Sequence, residues 1–470
     1  MKIAFHGAAR TVTGSKHIIH LSKGKKILLD CGMFQGLGKQ TLQLNAEFGF
    51  DPSELSYVII SHAHIDHIGL LPKLVKEGYK GKIFMTTATQ DLAKILLLDS
   101  ARIQESDVQH INKMHDRQGR KPVEPLYTED DAREVFPMLQ TLEYDTPFKI
   151  DEDIELLYRD CGHLLGAASV SLKLMDSGKE VRLTFSGDIG RYNDMLLRSP
   201  DTFPQADYII MESTYGDKLH DAVTPATDVL LSQIKHTCLE KKGKLIIPAF
   251  SVGRTQEILY ILNNLSNEGR LPALTYYVDS PLSIEATDVI KHHPECFNKE
   301  VTATLKKDTD VFAFNGLRYV QSVDESIGLN SVKGPCVIIS ASGMAEAGRV
   351  KHHIVHNIGD AANTILIVGY CEPLSLGGRL KNGAKEVGIY GVRYPVIAEV
   401  AVIGSLSAHG DYKDMLQWLA CQDINKVRKL FVVHGEYDVQ QHFRDKLIKK
   451  GFRDVEIPAL HQVIGLGDLE

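Results

Sequence analysis

The stretch that decides the fold is His62-Ala63-His64-Ile65-Asp66-His67, which directly follows the apolar segment Tyr57-Val58-Ile59-Ile60-Ser61. It places three imidazoles and one carboxylate within six residues at the end of a predicted strand. Groups of this kind suit Zn²⁺ or a similar divalent ion, and their spacing allows a tight loop to face two neighbouring ions. The alternative is a solvated polar loop, which is weaker because such groups are costly to dehydrate at the end of a buried strand. The run therefore predicts a metal site.

The length and composition of the chain indicate a soluble globular protein of two domains. Its 470 residues exceed one simple core, and 43% hydrophobic residues are enough to fill two. No apolar run approaches the roughly 18 residues of a membrane span. The amino-terminal residues 1–7 are typical of a short strand rather than a signal peptide. We therefore expect a cytoplasmic protein without a membrane partner.

The net charge and the cysteine spacing count against two classes of protein, basic nucleic-acid binders and proteins held together by disulfides or structural zinc. A formal charge of −7 and a pI near 6.3 count mildly against nucleic-acid binding driven by overall basicity. A local basic rim or a metal pair can still attract a phosphate backbone. The seven cysteines are odd in number, far apart and never in a Cys-x-x-Cys pair. This pattern argues against a disulfide framework and against a structural zinc site.

The order of predicted elements indicates a split domain with an insertion. Short strands separated by glycine turns dominate the first part of the chain. From about Gly216, strands and helices alternate as in a parallel α/β layer, and after Pro395 a strand at 398–402 opens the return to the first domain. The predicted fold class is α/β, with one α/β domain inserted into another. The predicted parts are residues 1–215 for the first part of the split domain, 216–395 for the insertion and 396–470 for the closing part.

Five further stretches place a residue that can bind a metal or transfer a proton at the end of a predicted strand, beside glycine. Taken singly each is weak, because a His or Asp beside glycine is commonly a turn residue. Their recurrence together with the histidine-rich run is the stronger signal. The stretches are Leu28-Leu29-Asp30-Cys31-Gly32, Cys161-Gly162-His163-Leu164-Leu165-Gly166, Ser186-Gly187-Asp188, Ser407-Ala408-His409-Gly410-Asp411 and Val433-His434-Gly435-Glu436.

Together these residues resemble the β-CASP group of metallo-β-lactamase-fold nucleases, which includes RNase J and the endonuclease subunit of the messenger-RNA cleavage and polyadenylation machinery. The resemblance covers nearly the whole chain and includes Glu212 in the segment Met211-Glu212-Ser213-Thr214-Tyr215-Gly216. It implies an αββα metallo-β-lactamase sandwich, split by an inserted α/β β-CASP domain. Motifs similar to those of that inserted domain are Pro248-Ala249-Phe250-Ser251-Val252-Gly253-Arg254, Ser340-Ala341-Ser342-Gly343-Met344 with Gly348-Arg349-Val350, and Leu376-Gly377-Gly378-Arg379-Leu380.

The same resemblance implies two Zn²⁺ ions, with manganese as the alternative native metal. Asp30 resembles the carboxylate that, in this family, orients a ligand imidazole and fixes its tautomer. The alternative for Asp30 is an ordinary strand-terminating residue hydrogen-bonded to a turn. The implied ligands are His62, His64 and His163 for one ion and Asp66, His67 and His434 for the other, with Asp188 as the bridge.

His409 resembles the family's candidate for the proton donor to the leaving 3′-oxygen. Such a donor is worth about 10²- to 10⁴-fold, because a phosphodiester expels a poor alkoxide. Glu212 would hold the imidazole and raise its pKa. The alternative is that His409 supports the ligands or positions the substrate. The implied catalytic residues are His409, Glu212, Asp66 and Asp30.

Six residues in or near the inserted-domain motifs are candidates to bind phosphates or stack against nucleotides in a cleft between the domains. Structural ion pairs and tight turns explain the same residues equally well. A different prediction concerns Trp418, which is the only tryptophan and is expected in the core. The six candidates are Arg254, Ser342, Arg349, His352, Gly378 and Arg379.

The leading hypothesis is a zinc-dependent ribonuclease in which two ions activate the attacking water, with internal cleavage of RNA as the first choice. A histidine at the position of His434 is associated, in the resembled family, with members that act on RNA. The alternatives are a 5′-exoribonuclease, a metallohydrolase of another ester, and a non-catalytic RNA-binding scaffold. Single-stranded RNA and a second copy in a homodimer are the expected partners. We expect the compact bacterial type, without RNase J's carboxyl-terminal domain or an amino-terminal KH domain.

Overall fold

The computed structural model describes residues 1–117, 119–220, 226–369, 371–404 and 407–466. The chain divides into two compact units. The first unit comprises Met1–Leu219 and His409–Glu470, and the second comprises His220–Ala408. The inserted second unit therefore interrupts the first unit, as the sequence predicts.

The first sheet of the first unit has seven strands in the order β22-β1-β2-β3-β4-β5-β6. Strands β22, β1, β2 and β3 are antiparallel neighbours, whereas β3 to β6 run parallel. The strands are β1 (Lys2–Phe5), β2 (His17–His20), β3 (Lys26–Leu29), β4 (Tyr57–Ile59), β5 (Lys82–Thr86), β6 (Leu139–Leu142) and β22 (Gln462–Gly465).

The second sheet also has seven strands, in the order β21-β20-β11-β10-β9-β8-β7. Strands β7, β8, β9 and β10 pair antiparallel in succession, whereas β10, β11, β20 and β21 pair parallel in succession. The strands are β7 (Phe148–Lys149), β8 (Ile154–Asp160), β9 (Ala168–Asp176), β10 (Lys179–Phe185), β11 (Tyr208–Met211), β20 (Lys429–Val432) and β21 (Val455–Glu456).

The two sheets of the first unit pack face to face, and helices cover their outer faces. One core cluster joins Ile27 and Ile59 of the first sheet to Leu172 and Ile210 of the second. Helices α13 and α14 cover the second sheet, while α4 contacts β5 and β6 of the first. The predicted αββα sandwich is confirmed. The helices are α1 (Lys39–Ala46), α2 (Ile65–Ile68), α3 (Leu71–Lys76), α4 (Thr87–Arg117), α5 (Glu129–Val135), α13 (Tyr412–Trp418) and α14 (Tyr437–Lys450).

The second unit is an α/β layer around a parallel sheet of six strands in the order β14-β13-β15-β12-β16-β19. Its central strands are buried on both faces, which is typical of parallel sheets covered by helices. A separate hairpin, β17 with β18, packs against the same core. The strands are β12 (Leu245–Pro248), β13 (Thr275–Val278), β14 (Leu317–Tyr319), β15 (Cys336–Ser340), β16 (Thr364–Val368), β17 (Glu386–Ile389), β18 (Val392–Pro395) and β19 (Glu399–Ile403).

Helices of the second unit begin at residues that satisfy their free backbone amides. Ser280, Ser322 and Ser375 each accept a hydrogen bond from an amide of the first turn. A π-helical turn at Lys235–Glu240 continues α6. The helices are α6 (Ala226–Ile234), α7 (Arg254–Asn267), α8 (Pro281–Lys291), α9 (Lys299–Thr304), α10 (Val323–Leu329), α11 (Val350–Asn357) and α12 (Leu376–Lys381).

The boundaries of the inserted unit differ from the predicted ones. The strand predicted at 398–402 was assigned to the returning domain, but β19 pairs in parallel with β16 of the inserted sheet, from Thr364 opposite Glu399 onwards. The second unit consequently ends after Ala408 instead of at 395, and it begins at His220 instead of 216. Backbone pairing with β16 decides where this short strand belongs. Within the described ranges, no helix combines the length and hydropathy needed to span a bilayer.

The buried position of Trp418 leads to a prediction about stability. Its side chain is 1% exposed and stacks on Phe203 with ring centroids 4.0 Å apart. Replacing Trp418 with Ala should lower the free energy of unfolding by about 3–5 kcal/mol, because a large cavity is left beneath α13. Urea denaturation followed by circular dichroism measures the change. Leu42→Ala, at a side chain that is 74% exposed, is the control and should cost less than about 0.5 kcal/mol. Equal losses in both variants would contradict the packing described here.

Candidate metal centre

The histidine-rich run follows β4 and continues into α2, which contains Asp66 and His67, and backbone hydrogen bonds hold it in place. The carbonyl of Asp66 accepts from the Ser15 amide at 2.8 Å, and the carbonyl of His67 accepts from the Cys31 amide at 2.7 Å. Gly32 is required here, because a Cβ at this position would lie 1.6 Å from the Asp66 carbonyl oxygen. The predicted loop is therefore held against the segment that precedes β2 and the segment that follows β3.

The remaining candidates come from strand ends that share one edge of the second sheet. His163 follows β8, Asp188 follows β10, Glu212 follows β11 and His434 follows β20. These four strands run in the same direction, so their carboxyl ends lie at the same edge. In the first sheet, β3 and β4 are parallel neighbours, and their ends supply Asp30 and the histidine-rich run in the same way.

One group of candidate metal ligands, called the first donor group, consists of His62, His64, His163 and Asp188. One donor atom from each residue lies within 4.8 Å of the others. His64 Nδ1 is 3.0 Å from His62 Nε2 and 3.2 Å from His163 Nε2. Asp188 Oδ2 lies 3.6 Å from Nε2 of both His62 and His163. The structure thus brings together residues separated by more than a hundred positions in sequence.

A second group consists of Asp66, His67 and His434, again with donor atoms within 4.8 Å of one another. His434 Nε2 is 3.2 Å from His67 Nε2 and 3.4 Å from Asp66 Oδ2. Asp188 approaches this group as well, with Oδ2 3.3 Å from His67 Nε2 and Oδ1 3.6 Å from His434 Nδ1. Asp188 is therefore the carboxylate that contacts members of both groups.

Burial sets the protonation of the first group. It lowers the pKa of His62 and of His163 far below the ordinary value, and it lowers the pKa of His64 to about 4. These imidazoles are therefore neutral near pH 7, which is the form that binds a metal. Burial raises the pKa of Asp188, but the neighbouring His434 and His67 outweigh burial and hold it well below its usual range.

The chemistry of these donors fits a divalent cation. Asp188 Oδ1 is buried and accepts no hydrogen bond from any described residue. The ring nitrogens of His62, His64 and His163 converge on one another and on this carboxylate. Imidazole and carboxylate in groups of three or four are the ligands that zinc takes in catalytic sites and that manganese also accepts.

Asp30 contacts His67 of the second group on the side of the imidazole that faces away from His434. Its Oδ2 is 2.6 Å from His67 Nδ1, so the opposite nitrogen of that imidazole faces His434. Its Oδ1 accepts from the Ser61 amide at 2.8 Å. Asp30 therefore contacts a candidate ligand and also accepts a hydrogen bond within a turn. Both interpretations predicted from the sequence, a carboxylate that orients a ligand and a residue that ends a strand, describe part of its contacts. Its φ of 57° and the φ of 50° at His434 lie in the left-handed region.

Two hydroxyl groups belong to the site and were missed in the sequence. Ser61 Oγ lies 3.1 Å from His62 Nδ1, and Thr214 Oγ1 lies 3.1 Å from His434 Nδ1. Ser61 holds the His62 nitrogen opposite to the one that faces the first group, and Thr214 holds the His434 nitrogen that also lies 3.6 Å from Asp188 Oδ1. Their positions next to the predicted segments, directly before His62 and two residues after Glu212, were the available signal.

His409 lies beside the two groups and is paired with Glu212. Its Nδ1 is 3.1 Å from Glu212 Oε2, and its ring centroid is 4.5 Å from that of His163. Glu212 is buried and accepts from the Ile189 amide at 2.5 Å. Burial lowers the pKa of His409, but the carboxylates of Glu212 and Asp188 outweigh burial and raise it to about 9. The pairing predicted for these two residues is present.

The six predicted substrate-binding residues all lie in the second unit. Two of the arginines are engaged internally: Arg254 is buried and paired with Glu257, and Arg349 Nη1 is 2.7 Å from Asp279 Oδ1. Arg349 Nη2 also donates to the Gln321 carbonyl at 2.8 Å. These contacts favour the structural interpretation of both arginines over direct phosphate binding.

The other four predicted substrate-binding residues differ in their contacts: two bond within their own loop or helix cap, whereas the side chains of the other two form no such bond to a described residue. Ser342 Oγ contacts the Ala347 carbonyl at 3.4 Å, and the Gly378 amide donates to the Ser375 hydroxyl that caps α12. The three motifs that contain these residues do come together: the Ala249 amide donates to the Ser340 carbonyl, and the Gly377 amide to the Met344 carbonyl. The remaining candidates are Arg379, whose Nε makes no hydrogen bond to a described residue, and His352, whose ring stacks on Tyr390.

Models of three protein families match consecutive parts of the chain. The metallo-β-lactamase superfamily matches residues 17–231, and the β-CASP domain matches residues 255–380. The Zn-dependent metallo-hydrolase RNA specificity domain matches residues 393–458. The order of the matches agrees with a split sandwich that carries an insertion.

Curated relatives match nearly the whole chain. The sequence is 35% identical to Ribonuclease TTHA0252 of Thermus thermophilus over 93% of each chain. It is 31% identical to the RNase J-like protein of Methanocaldococcus jannaschii over 92% of each chain. It is 27% identical to Endoribonuclease YSH1 of Yarrowia lipolytica, over 94% of this chain and 51% of that protein. The chain is therefore a metal-dependent hydrolase and belongs to the β-CASP ribonucleases of the metallo-β-lactamase superfamily.

Proposed function

We propose that the protein is a ribonuclease that hydrolyses RNA phosphodiester bonds at a pair of Zn²⁺ ions and cuts within the RNA chain. The observation that carries this proposal is the position of Asp188, which contacts both donor groups, with the His409 and Glu212 pair alongside. The names of the relatives from Thermus thermophilus and Yarrowia lipolytica describe a ribonuclease and an endoribonuclease, which supports RNA as the substrate and internal cleavage as the mode.

The chain offers a complete set of ligands for the proposed ions. When bound, two such ions lower the pKa of water and neutralise the charge that develops on phosphorus during attack. Asp30, Ser61 and Thr214 each contact one ring nitrogen of His67, His62 and His434 and so orient these three imidazoles. The proposed ligands are His62, His64 and His163 for one ion and Asp66, His67 and His434 for the other, with Asp188 shared.

The proposed proton donor is His409. Glu212 holds Nδ1 and keeps the imidazolium form present near neutral pH, so Nε2 is the atom that would deliver a proton to the leaving 3′-oxygen. Glu212 is itself fixed by the amide of Ile189, one residue after Asp188. The donor and the bridging carboxylate are therefore positioned by the same short segment.

The mode of cleavage is tested with an RNA that carries a label at its 5′ end, incubated with the zinc-loaded protein. We expect labelled fragments of many lengths, because cleavage inside the chain leaves the label on oligonucleotides. Gel electrophoresis resolves the products. Labelled mononucleotides as the first product would instead show 5′-exonuclease action, and turnover of small esters without RNA cleavage would refute the ribonuclease assignment.

Substitutions separate the proton donor from the ligands. His409→Ala should keep its metal and lose turnover by about 10²- to 10⁴-fold, because only the donor is removed. Asp188→Asn should lose both metal and turnover. Metal is counted by inductively coupled plasma mass spectrometry after dialysis, and turnover is measured on labelled RNA. A metal-depleted His409→Ala protein would show that this histidine is a ligand rather than a donor.

Asp30 provides a separate prediction about metal affinity. Asp30→Asn should weaken metal binding by about 10- to 100-fold, because the carboxylate that polarises His67 from behind is lost. Competition with a chromogenic chelator measures the affinity. Asp51→Asn is the matched control, since Asp51 is exposed and bonds only to Ser53 among the contacts described for its side chain. Unchanged affinity in Asp30→Asn would reduce Asp30 to a turn residue.

A further inference from the structure

The hairpin between β17 and β18 presents an aromatic side chain at its tip. Ile389 and Val392 form the last pair of the ladder, so Tyr390 and Gly391 make a two-residue turn. Both have positive φ, 52° at Tyr390 and 78° at Gly391. Asn or Gly is the usual first residue of such a turn, and a bulky tyrosine adopts this conformation at a cost. The Tyr390 side chain is nevertheless 55% exposed, so its burial does not explain its presence.

Tyr390 is part of a layered arrangement with α11. Its ring stacks on that of His352 with centroids 5.1 Å apart and planes inclined by 29°. Its hydroxyl is 3.1 Å from His352 Nε2, and Lys351 Nζ lies 4.6 Å from the ring centroid. These contacts hold the ring in one orientation while more than half of the side chain faces solvent. A fixed and exposed aromatic ring is suited to stacking against a flat partner.

The two segments that contain α11 and the hairpin are basic, although the whole chain carries −7. Residues 350–357 and 381–395 contain Lys351, Lys381, Lys385 and Arg393 against the single carboxylate of Glu386. Arg393 is 83% exposed and lies opposite Gly388, and its 2.9 Å pair with Glu386 is a solvent-exposed contact of low energy.

The pKa of His352 in α11 reflects both burial and neighbouring cationic groups. Burial lowers the pKa of His352, and the neighbouring His353, His356 and Lys351 lower it further. Burial is the largest cause of this shift, and Lys351, whose Nζ lies 4.6 Å from the Tyr390 ring centroid, is the cation beside the two rings. The hairpin tip and α11 therefore combine an exposed ring with positive charge.

We propose that Tyr390 and His352, flanked by Lys351 and Arg393, form a docking site for single-stranded RNA, in which a base stacks on the tyrosine and adjacent phosphates contact the two cations. Stacking platforms combined with basic side chains are the usual means of holding single strands without sequence preference. This inference rests on the proposed ribonuclease function and adds a place on the second unit where the substrate is held.

The test measures the binding of fluorescein-labelled oligouridylate RNA by fluorescence anisotropy. All variants carry His409→Ala, so that cleavage does not interfere. Tyr390→Ala should weaken binding about 5- to 150-fold, the range for loss of one stacked base. Tyr390→Phe keeps the ring and should retain the affinity. Arg393→Ala should reduce the slope of log affinity against log salt by about 0.7. The control is Val323→Ala, an exposed side chain of α10, which should change neither quantity.

A second measurement distinguishes failure of the docking site from failure of the ribonuclease assignment. In protein with an intact His409, Tyr390→Ala should raise KM for RNA while hydrolysis of bis(p-nitrophenyl) phosphate stays unchanged. Unaltered RNA affinity and KM in a folded Tyr390→Ala protein would overturn the docking site, even though the unsubstituted protein cleaves RNA. A Tyr390→Ala protein that changes from dimer to monomer in sedimentation, with RNA affinity retained, would make this surface a contact between copies and would also overturn it.

Discussion

The buried carboxylate of Asp188 is the group on which the rest of the site depends. Removing a charged carboxylate from water costs several kcal/mol unless opposite charge or hydrogen bonds replace the water. Here imidazoles from three separate parts of the chain, His67, His163 and His434, surround it at 3.3–3.6 Å. The strands of the second sheet that precede His163, Asp188 and His434 end at a common edge, and the histidine-rich run after β4 of the first sheet brings His67 to the same carboxylate.

The orientation of the candidate ligands is fixed by neighbouring residues that hydrogen-bond to their imidazole rings. Asp30 holds His67 and Ser61 holds His62 through the nitrogen that faces away from the centre. Thr214 holds His434 through Nδ1, which also lies 3.6 Å from Asp188 Oδ1. Backbone hydrogen bonds from Ser15 and Cys31 fix the histidine-rich loop itself. Each imidazole is consequently constrained from two directions. A rigid donor set of this kind loses little conformational entropy when it binds an ion, which favours tight binding.

Much of this arrangement could be predicted from the sequence, because the decisive signals were local. The dense run after β4 and the glycine-flanked residues at strand ends marked the candidate residues, and the resemblance to the β-CASP group assigned them to two metal ions. The assignment of β19 could not be predicted, since a short apolar strand carries no information about which sheet it joins. The ion pairs of two arginines also differ in how local they are. Glu257 lies three residues after Arg254, within the same helix. Asp279 lies seventy positions before Arg349, so only the fold reveals this pair.

Two site residues, Asp30 and His434, occupy the left-handed region of backbone space that glycine adopts most easily. Each side chain there costs on the order of 1–2 kcal/mol in backbone conformation. At both positions the protein keeps the functional side chain at the expense of backbone preference. The backbone conformation alone therefore favours glycine at these two turns, although glycine would lose the contacts that Asp30 makes with the Ser61 amide and His67 Nδ1. Efforts to raise the thermal tolerance of this protein would meet a direct conflict with activity at these positions.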